Sequence, residues 1–177
     1  MKKDEFEQLT KKIEKLPEEV VTECYEKGMK NVLHRISSSA KMKVPVNDGG
    51  LRNSIKTHIS IKGDEIKGNV GSRNEHAIYV EFGTGPKGGE NHSGVSPKIN
   101  VSYKSKPWFI PGEVLDKSII DKYHFPEIKL KNGDKLYWTD GQKAQPFLYP
   151  AFNEIEPELT MHFGKAVFRA MKKVAKE

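Results

Sequence analysis

Cysteine and long apolar runs are scarce in this chain. Cys24 is the single cysteine, so the chain can form neither an internal disulfide nor a zinc site built on several thiolates. No stretch approaches the ~18 apolar residues that a membrane-spanning helix needs. The segment Met1–Glu5 leads into a charged helical pattern without the apolar core of a signal peptide. We therefore expect a protein that is made in a reducing cytoplasm and stays out of membranes.

Arginine is also scarce, although the chain is basic. Thirty residues are Lys or Arg against twenty-four Asp and Glu, which gives a net charge of +6. The four arginines are Arg35, Arg52, Arg73 and Arg169. Proteins that read DNA sequence cluster Arg and amides on a helix face, whereas these basic residues are mostly Lys scattered among acids. An ordinary solvated surface is therefore favoured, and a basic DNA-binding module stays an alternative.

The length bounds the domain organisation. At 177 residues the chain suits one ordinary domain with a sizeable core, and two full domains would be cramped. We expect a single domain over residues 1–177, with an inserted lobe at about 86–143.

Two N-terminal helices are predicted from apolar spacing. The first is indicated by residues that recur every three or four positions, namely Phe6, Leu9, Ile13 and Leu16. Pro17 interrupts this pattern and suits the first turn of a second helix, where its missing N–H costs nothing. The second helix should run from about residue 17 to 41, on the stripe of Val21, Tyr25, Met29, Val32, Leu33, Ile36 and Ala40.

A sheet is expected next. After the turn residues Asp48-Gly49-Gly50, apolar and polar residues alternate from Ile55 to Lys62, which predicts a half-buried strand. Gly63-Asp64 should form a hairpin turn before a returning strand through Ile66, Gly68 and Val70. Residues 77–82 are predicted to add a third strand. The fold class is therefore α+β, an antiparallel meander packed with long N-terminal and C-terminal helices, plus a β-rich insert.

The rest of the chain is predicted to hold that insert and a closing helix. Within the insert, a loop follows Pro86, and Asn132-Gly133 should form the turn of a hairpin between residues 127–130 and 135–138. The closing helix is indicated by Phe152, Ile155, Leu159, Phe163, Val167, Ala170 and Val174. We expect Asn153 to cap this helix, with Pro157 in its first turn.

No catalytic constellation stands out. The glycine-rich stretch from Gly83 lacks the spacing of a phosphate-binding loop, and the six histidines are dispersed. Glu90, His92 and Asp140 could meet as a weak metal or hydrolytic cluster, although solvated loop residues explain them more simply. Cys24 and His34 would lie about 15 Å apart on one helix. We predict no catalytic, metal-binding or cofactor-binding residue, and a small metal-dependent hydrolase stays an alternative.

Three segments carry a family resemblance. They are PVNDGGLRNSI at residues 45–55, YVEFGTG at 79–85 and PFLYPA at 146–151. In this order they resemble the tail-completion, or head-tail joining, family of tailed bacteriophages and prophage elements, over roughly 20–85 and 144–175. One extra residue precedes Leu51 relative to the family's usual form.

The resemblance implies a structural virion protein, not an enzyme. It would act at the head-tail interface (neck) or tail end, as a ring of copies, commonly six, stacked on the tail tube protein and touching head-tail connector proteins. DNA would pass through the lumen. The motif positions with implied structural roles are Leu51, Arg52, Ser54, Glu81, Phe82, Gly83, Thr84, Gly85, Pro146, Phe147 and Pro150. In the insert, the candidate DNA-facing or interface residues are Lys98, Lys104, Lys106 and Trp108.

Overall fold

A computed structural model describes Lys11 and residues 17–47, 49–63 and 65–174 of the chain. The described residues fall into two compact units: one combines those up to Arg73 with those from Phe147 onward, and the other is Asn74–Pro146. Both units contain helices and antiparallel strands, which confirms the α+β class. Apart from Lys11, the helix predicted over residues 6–16 lies outside the described residues. The prediction of one domain with an inserted lobe stays a prediction.

A long helix, α1 (Glu18–Lys43), runs through the first unit. It begins directly after Pro17, whose carbonyl accepts backbone hydrogen bonds from Val20 and Val21, and it carries Glu18 and Glu19 in its first turn, where the helix dipole favours acidic groups. It ends at Val44, which is extended because Pro45 follows. The predicted second helix is therefore confirmed, with its C-terminal end two residues later than expected.

The predicted hairpin is also confirmed. A short helix, α2 (Gly50–Ser54), leads into β1 (Ile55–Lys62), which pairs antiparallel with β2 (Glu65–Ser72) in a register that sets Ile55 opposite Ser72. Gly63 takes a φ of 54° at the turn, a value that glycine adopts without steric cost. A Cβ placed on Gly68 would press against Met29 and Leu33, so α1 lies directly against this strand.

The third predicted strand is wrong. Residues Ala77–Phe82 form a helix, α3, and the first sheet is a two-stranded hairpin. Helical hydrogen bonds run from Val80 N to His76 O (3.0 Å) and from Gly83 N to Tyr79 O (2.9 Å). The strand was predicted because Ile, Tyr, Val and Phe favour sheets, but the two buried side chains here are Ala77 and Glu81, four residues apart as on one helix face.

The prediction of a loop after Pro86 is also wrong, because Gly85–Glu90 forms another short helix, α4, with Pro86 in its first turn. The unit continues with β3 (Trp108–Pro111), a 3-10 turn (Gly112–Val114) and α5 (Lys117–Tyr123). The strands β4 (Glu127–Lys129) and β5 (Lys135–Thr139) then form the predicted hairpin, and the sheet order is β3-β5-β4. Gly133 turns this hairpin with a φ of 91°.

The closing helix is divided into two helices. The first, α6, spans Leu148–Ile155, a 3-10 turn occupies Glu156–Glu158, and α7 spans Leu159–Val174. The prediction that Asn153 caps this helix is wrong, because α6 begins five residues earlier, after Phe147. Pro157 lies in the 3-10 turn, where its missing N–H interrupts the helical ladder. Phe163 packs against α1, and a Cβ on Gly28 would lie 2.6 Å from its ring.

Two carboxylates form a polar seam between α1 and the closing helices. Glu154 accepts hydrogen bonds from Lys43 Nζ (2.7 Å) and Ser39 Oγ (2.7 Å), and Glu158 pairs with Arg35. The hydrogen bonds from Lys43 and then Ser39 lower the pKa of Glu154. The hydrogen bond from Arg35 lowers the pKa of Glu158. Both carboxyl groups are therefore held in the charged form by their partners.

This polar seam should make the stability of the protein depend on pH in the acidic range. Because the folded pKa values of Glu154 and Glu158 are lowered, their stabilisation is complete above the unfolded carboxyl pKa of about 4.3 and is lost as the pH falls through the folded values. We expect the melting temperature of the wild-type protein to fall more steeply below about pH 4.3 than that of the variant Glu154→Gln/Glu158→Gln. Glu156→Gln, an exposed neighbour, is the control and should keep the wild-type slope. Parallel curves for all three proteins would contradict the assignment.

Candidate interaction surfaces

The first motif fixes the entry into β1. Gly49 takes a φ of 82° before α2. Ser54 Oγ donates a hydrogen bond to Leu51 O (2.6 Å) and lies 2.6 Å from Ser72 Oγ at the end of β2. Arg52 is exposed. Ser54 therefore ties the turn to the hairpin, and Arg52 is one of the motif residues that face solvent.

The second motif forms a backbone clamp with a segment 58 positions later. Thr84 N donates to Gln142 O (2.9 Å), and Gln142 N donates to Thr84 O (3.2 Å) and to Thr84 Oγ1 (3.1 Å). Gly83 has a φ of 74°, and a Cβ there would lie 2.7 Å from Ala144 N and 2.8 Å from Gln142 O. The two segments of the chain approach each other so closely at this point that only glycine fits at position 83.

Further hydrogen bonds fasten α3 to the same unit. Gln142 Nε2 donates to Tyr79 O (2.7 Å), Gln145 N donates to Val80 O (2.8 Å) and Tyr103 OH donates to Phe82 O (2.8 Å). Burial raises the pKa of Tyr103. Glu81, at the centre of the motif, is 5% exposed. The backbone of the second motif is therefore held by hydrogen bonds from Gln142, Gln145 and Tyr103.

The hydrogen bond of Tyr103 can be tested locally. Tyr103→Phe removes the hydroxyl and leaves Phe82 O without this donor, at a cost of about 0.5–1.5 kcal/mol. We expect the amides of residues 77–91 to exchange with solvent about two- to tenfold faster, as measured by hydrogen exchange with mass spectrometry. Tyr123→Phe, at a side chain 58% exposed, should leave these amides unchanged. Equal exchange in both variants would show that the Tyr103 hydroxyl does not support α3.

The third motif is mainly a packing element. Phe147 is fully buried, with 0% of its surface exposed, and stands immediately before α6. Pro146 and Pro150 are half-buried. Pro150 falls within the first turn of α6, where no N–H donor is required.

The insert residues divide into an anchor and exposed charges. Trp108 is half-buried, and a Cβ on Gly85 would lie 2.7 Å from its ring, so the indole packs directly on this glycine. Lys104 Nζ lies 4.9 Å from the centroid of the Trp108 ring, a cation-π distance. Lys98 and Lys106 are exposed. The structure thus brings Lys104 and Trp108 together, and Trp108 belongs to the support of the second motif.

The residues considered for chemistry are occupied by structural contacts. His92 Nδ1 lies 2.6 Å from Gly89 O, and Asp140 lies 3.8 Å from Lys87 Nζ. Within the described part of the chain, no three His, Cys, Asp or Glu side chains are grouped so that they could hold a metal ion. Burial, and then the charge of Glu23, raise the pKa of Cys24, which disfavours a reactive thiolate. These positions give no support to the hydrolase alternative.

Sequence reasoning missed Gln142 and Tyr103. Both supply hydrogen bonds to the second motif, yet both lie in the region that was treated as an insert. A glutamine or tyrosine in a loop-like stretch carries no local signal of a partner so far away in sequence, so no pattern in that stretch could have identified them.

These observations define a small α+β protein whose motif residues mainly stabilise its own backbone. Residues 7–83 match the model of the family HK97-gp10_like, described as "Bacteriophage HK97-gp10, putative tail-component". The match confirms the resemblance to a phage tail family through the first motif and into the second, and it supports a structural role in a phage tail. The resemblance at residues 146–151 lies beyond the matched range and stays a prediction.

No curated protein and no solved structure matches the chain. Among the helices of the described residues, none combines the length and apolar character needed to cross a membrane.

Proposed function

We propose that this protein completes the tail of a phage or prophage-derived particle and joins it to the head. The family match is the observation that carries the proposal, because it assigns the N-terminal framework to a bacteriophage tail component. The buried motif residues support it, since Glu81, Gly83 and Phe147 act in packing and leave function to exposed surfaces. The location would be the virion neck or tail end after synthesis in the host cytoplasm.

The working form in this proposal is a ring of copies, with six as the expected number, seated between the tail tube protein and the head-tail connector proteins. Ring subunits make head-to-tail contacts that close by rotation, so the two flanks of each subunit must differ. Exposed apolar side chains occur both on the helical unit, at Met161 and Phe168, and on the insert, at Phe109 and Val114. Such side chains suit contacts between unlike flanks.

The proposal is tested by electron microscopy of particles from a host in which this gene is deleted. Filled heads separated from free tails, restored to joined particles by the wild-type protein, would support the joining role. Normal joined particles without the protein would overturn it.

DNA in the lumen is part of the same proposal. The insert offers Lys98, Lys104 and Lys106 as dispersed charges of the kind that bind phosphates without reading sequence. Neutralising these three lysines to Gln should alter the rate or extent of DNA ejection if the insert lines the lumen. Ejection at the wild-type rate, measured by dye exclusion from emptied heads, would count against that placement.

A further inference from the structure

We propose that the outward face of the β1–β2 hairpin binds the phosphate backbone of duplex DNA without reading its sequence. This hairpin face consists of Lys56, His58, Ser60, Lys62, Glu65, Lys67 and Asn69. The inference deepens the proposed function, and rests on it for the place where DNA is met, by naming the surface that carries the greater share of DNA binding.

The hairpin segment carries a net positive charge. Residues 49–73 contain Arg52, Lys56, Lys62, Lys67 and Arg73 against Asp64 and Glu65, a net charge of +3 out of the total of +6. Residues 74–146 contain ten lysines, but nine acidic residues reduce their net charge to +1. A polyanion therefore meets fewer competing acidic residues at the hairpin than over residues 74–146 as a whole, although residues 74–146 contain more lysines.

The strand register places these polar side chains on one face. The cross-strand pairs His58↔Asn69 and Ser60↔Lys67 alternate with Ile59↔Gly68, and Gly68 lies against α1. Successive side chains point to opposite faces of a sheet, so His58, Ser60 and their partners face away from the helix. Same-face residues on one strand lie about 6.8 Å apart, and neighbouring strands about 4.8 Å apart. The hairpin therefore presents an array of polar side chains on one face.

The cationic groups on this face are accessible. Lys56, Lys62 and Lys67 are exposed. Lys67 Nζ lies 3.0 Å from Glu65 Oε2, but both side chains are more than 60% exposed, and exposed ion pairs contribute little. A phosphate can therefore compete for Lys67 at small cost.

The chemistry of the face favours the duplex backbone over other anionic partners. Residues 49–73 contain no Phe, Tyr or Trp, so the aromatic platforms on which single-stranded bases stack are missing. The seven side chains of the face are polar or charged, whereas peripheral membrane binding needs an apolar face to bury. Lysine acts as a point charge toward phosphate and lacks the fork that arginine uses to read guanine. These features favour binding of the hairpin face to the phosphate backbone of duplex DNA without recognition of the base sequence.

The test compares two variants that remove the same charge. The hairpin variant is Lys56→Gln/Lys62→Gln/Lys67→Gln, and the matched control is Lys98→Gln/Lys104→Gln/Lys106→Gln in the insert. Binding of two unrelated fluorescent 20-base-pair duplexes is followed by anisotropy between about 50 and 200 mM salt. Each lost phosphate contact reduces the slope of log K against log salt by about 0.9. We expect the hairpin variant to lose about 2.7 from the slope and at least about tenfold in affinity, and we expect the insert variant to lose less slope and less affinity than the hairpin variant.

A third variant separates charge from folding. Lys56→Arg/Lys62→Arg/Lys67→Arg keeps the charges and should bind both duplexes like the wild-type protein, and all variants should retain the wild-type melting temperature. The inference is overturned if the wild-type protein does not bind duplex at about 50 mM salt, or if the insert variant loses as much affinity as the hairpin variant. Tighter binding to phosphatidylserine vesicles than to duplex would also overturn it.

This binding test is independent of the particle test. A hairpin variant that loses duplex binding but still restores joined particles would support the DNA surface and leave the joining role intact. Joined particles in the absence of the protein would end the joining role, while the affinities measured on purified protein would stand.

Discussion

Replacing Phe147 with alanine should cost about 3–5 kcal/mol of the free energy of unfolding, the usual range for removing a buried aromatic ring. Phe147 and Ile55 are the largest fully buried side chains among the described residues. The loss combines the transfer free energy of the ring with the cavity left behind, because the surrounding backbone relaxes only in part. Since domains are stable by only about 5–15 kcal/mol, this single change would remove a large share of the stability.

The control for this prediction lies in the helix that Phe147 precedes. Phe152 has 40% of its surface exposed, so Phe152→Ala removes the same side chain without opening a closed cavity and should cost clearly less. Urea unfolding followed by circular dichroism gives both values through the shift in midpoint. Equal losses in the two variants would show that burial of Phe147 does not anchor the start of α6.

Replacing Gly83 with alanine should strongly destabilise the second unit. A residue other than glycine that combines a positive φ with an extended ψ costs about 1–3 kcal/mol, and Gly83 has a φ of 74° and a ψ of 179°. In addition, the new Cβ would lie 2.7 Å from Ala144 N and 2.8 Å from Gln142 O. Both are backbone atoms, which cannot rotate away as a side chain can, so overpacking adds about 1–3 kcal/mol.

Gly133 provides the matched control. Its φ is 91°, and a Cβ there would meet nothing within 4 Å. Gly133→Ala should therefore carry only the conformational cost, whereas Gly83→Ala also displaces the segment around Gln142. Hydrogen exchange should show faster opening of residues 77–91 in the Gly83 variant, and only of the β4–β5 turn in the Gly133 variant. The same local pattern in both variants would disprove the steric argument.

The sequence predicted well the elements that have a clear period or clear boundaries. The helix α1 was bounded correctly because Pro17 and Pro45 lie just outside its two ends. The β1–β2 hairpin was predicted because strict alternation surrounds Gly63. Residues 77–82 were predicted wrongly, because six residues are too few for period to outweigh the sheet preference of Ile78, Tyr79 and Val80.

The helix α4 could not have been predicted from its own residues, because GPKGGE has poor helix propensity. It forms where Gly88 N donates to Thr84 O (2.9 Å) and where a Cβ on Gly88 would lie 2.9 Å from Gly83 C. Close backbone packing requires glycine here, and the glycines adopt the helical conformation despite their low helix propensity. Tertiary contact overrode local preference.

The motif positions were located from sequence by resemblance, but their physical partners were not. Thr84 is held by Gln142 and Phe82 by Tyr103, and pairs so distant in sequence leave no periodic trace. The net charge of a segment, in contrast, can be read from the sequence, because the basic excess of residues 49–73 can be counted directly. Only the strand register shows which of these basic residues lie on the same face of the hairpin.

The clamp between Thr84 and Gln142 has a consequence for how such a protein can diversify. The chain leaves the clamp and returns to it 58 positions later, so everything between is a closed excursion with adjacent ends. Doubling the length of a flexible loop of this kind costs only about 0.6 kcal/mol in closure entropy. The family match stops at residue 83, immediately before the excursion begins. A change in the length of this segment is therefore compatible with the clamp as long as Tyr103 and Gln142 keep their hydrogen bonds to Phe82 O and Tyr79 O.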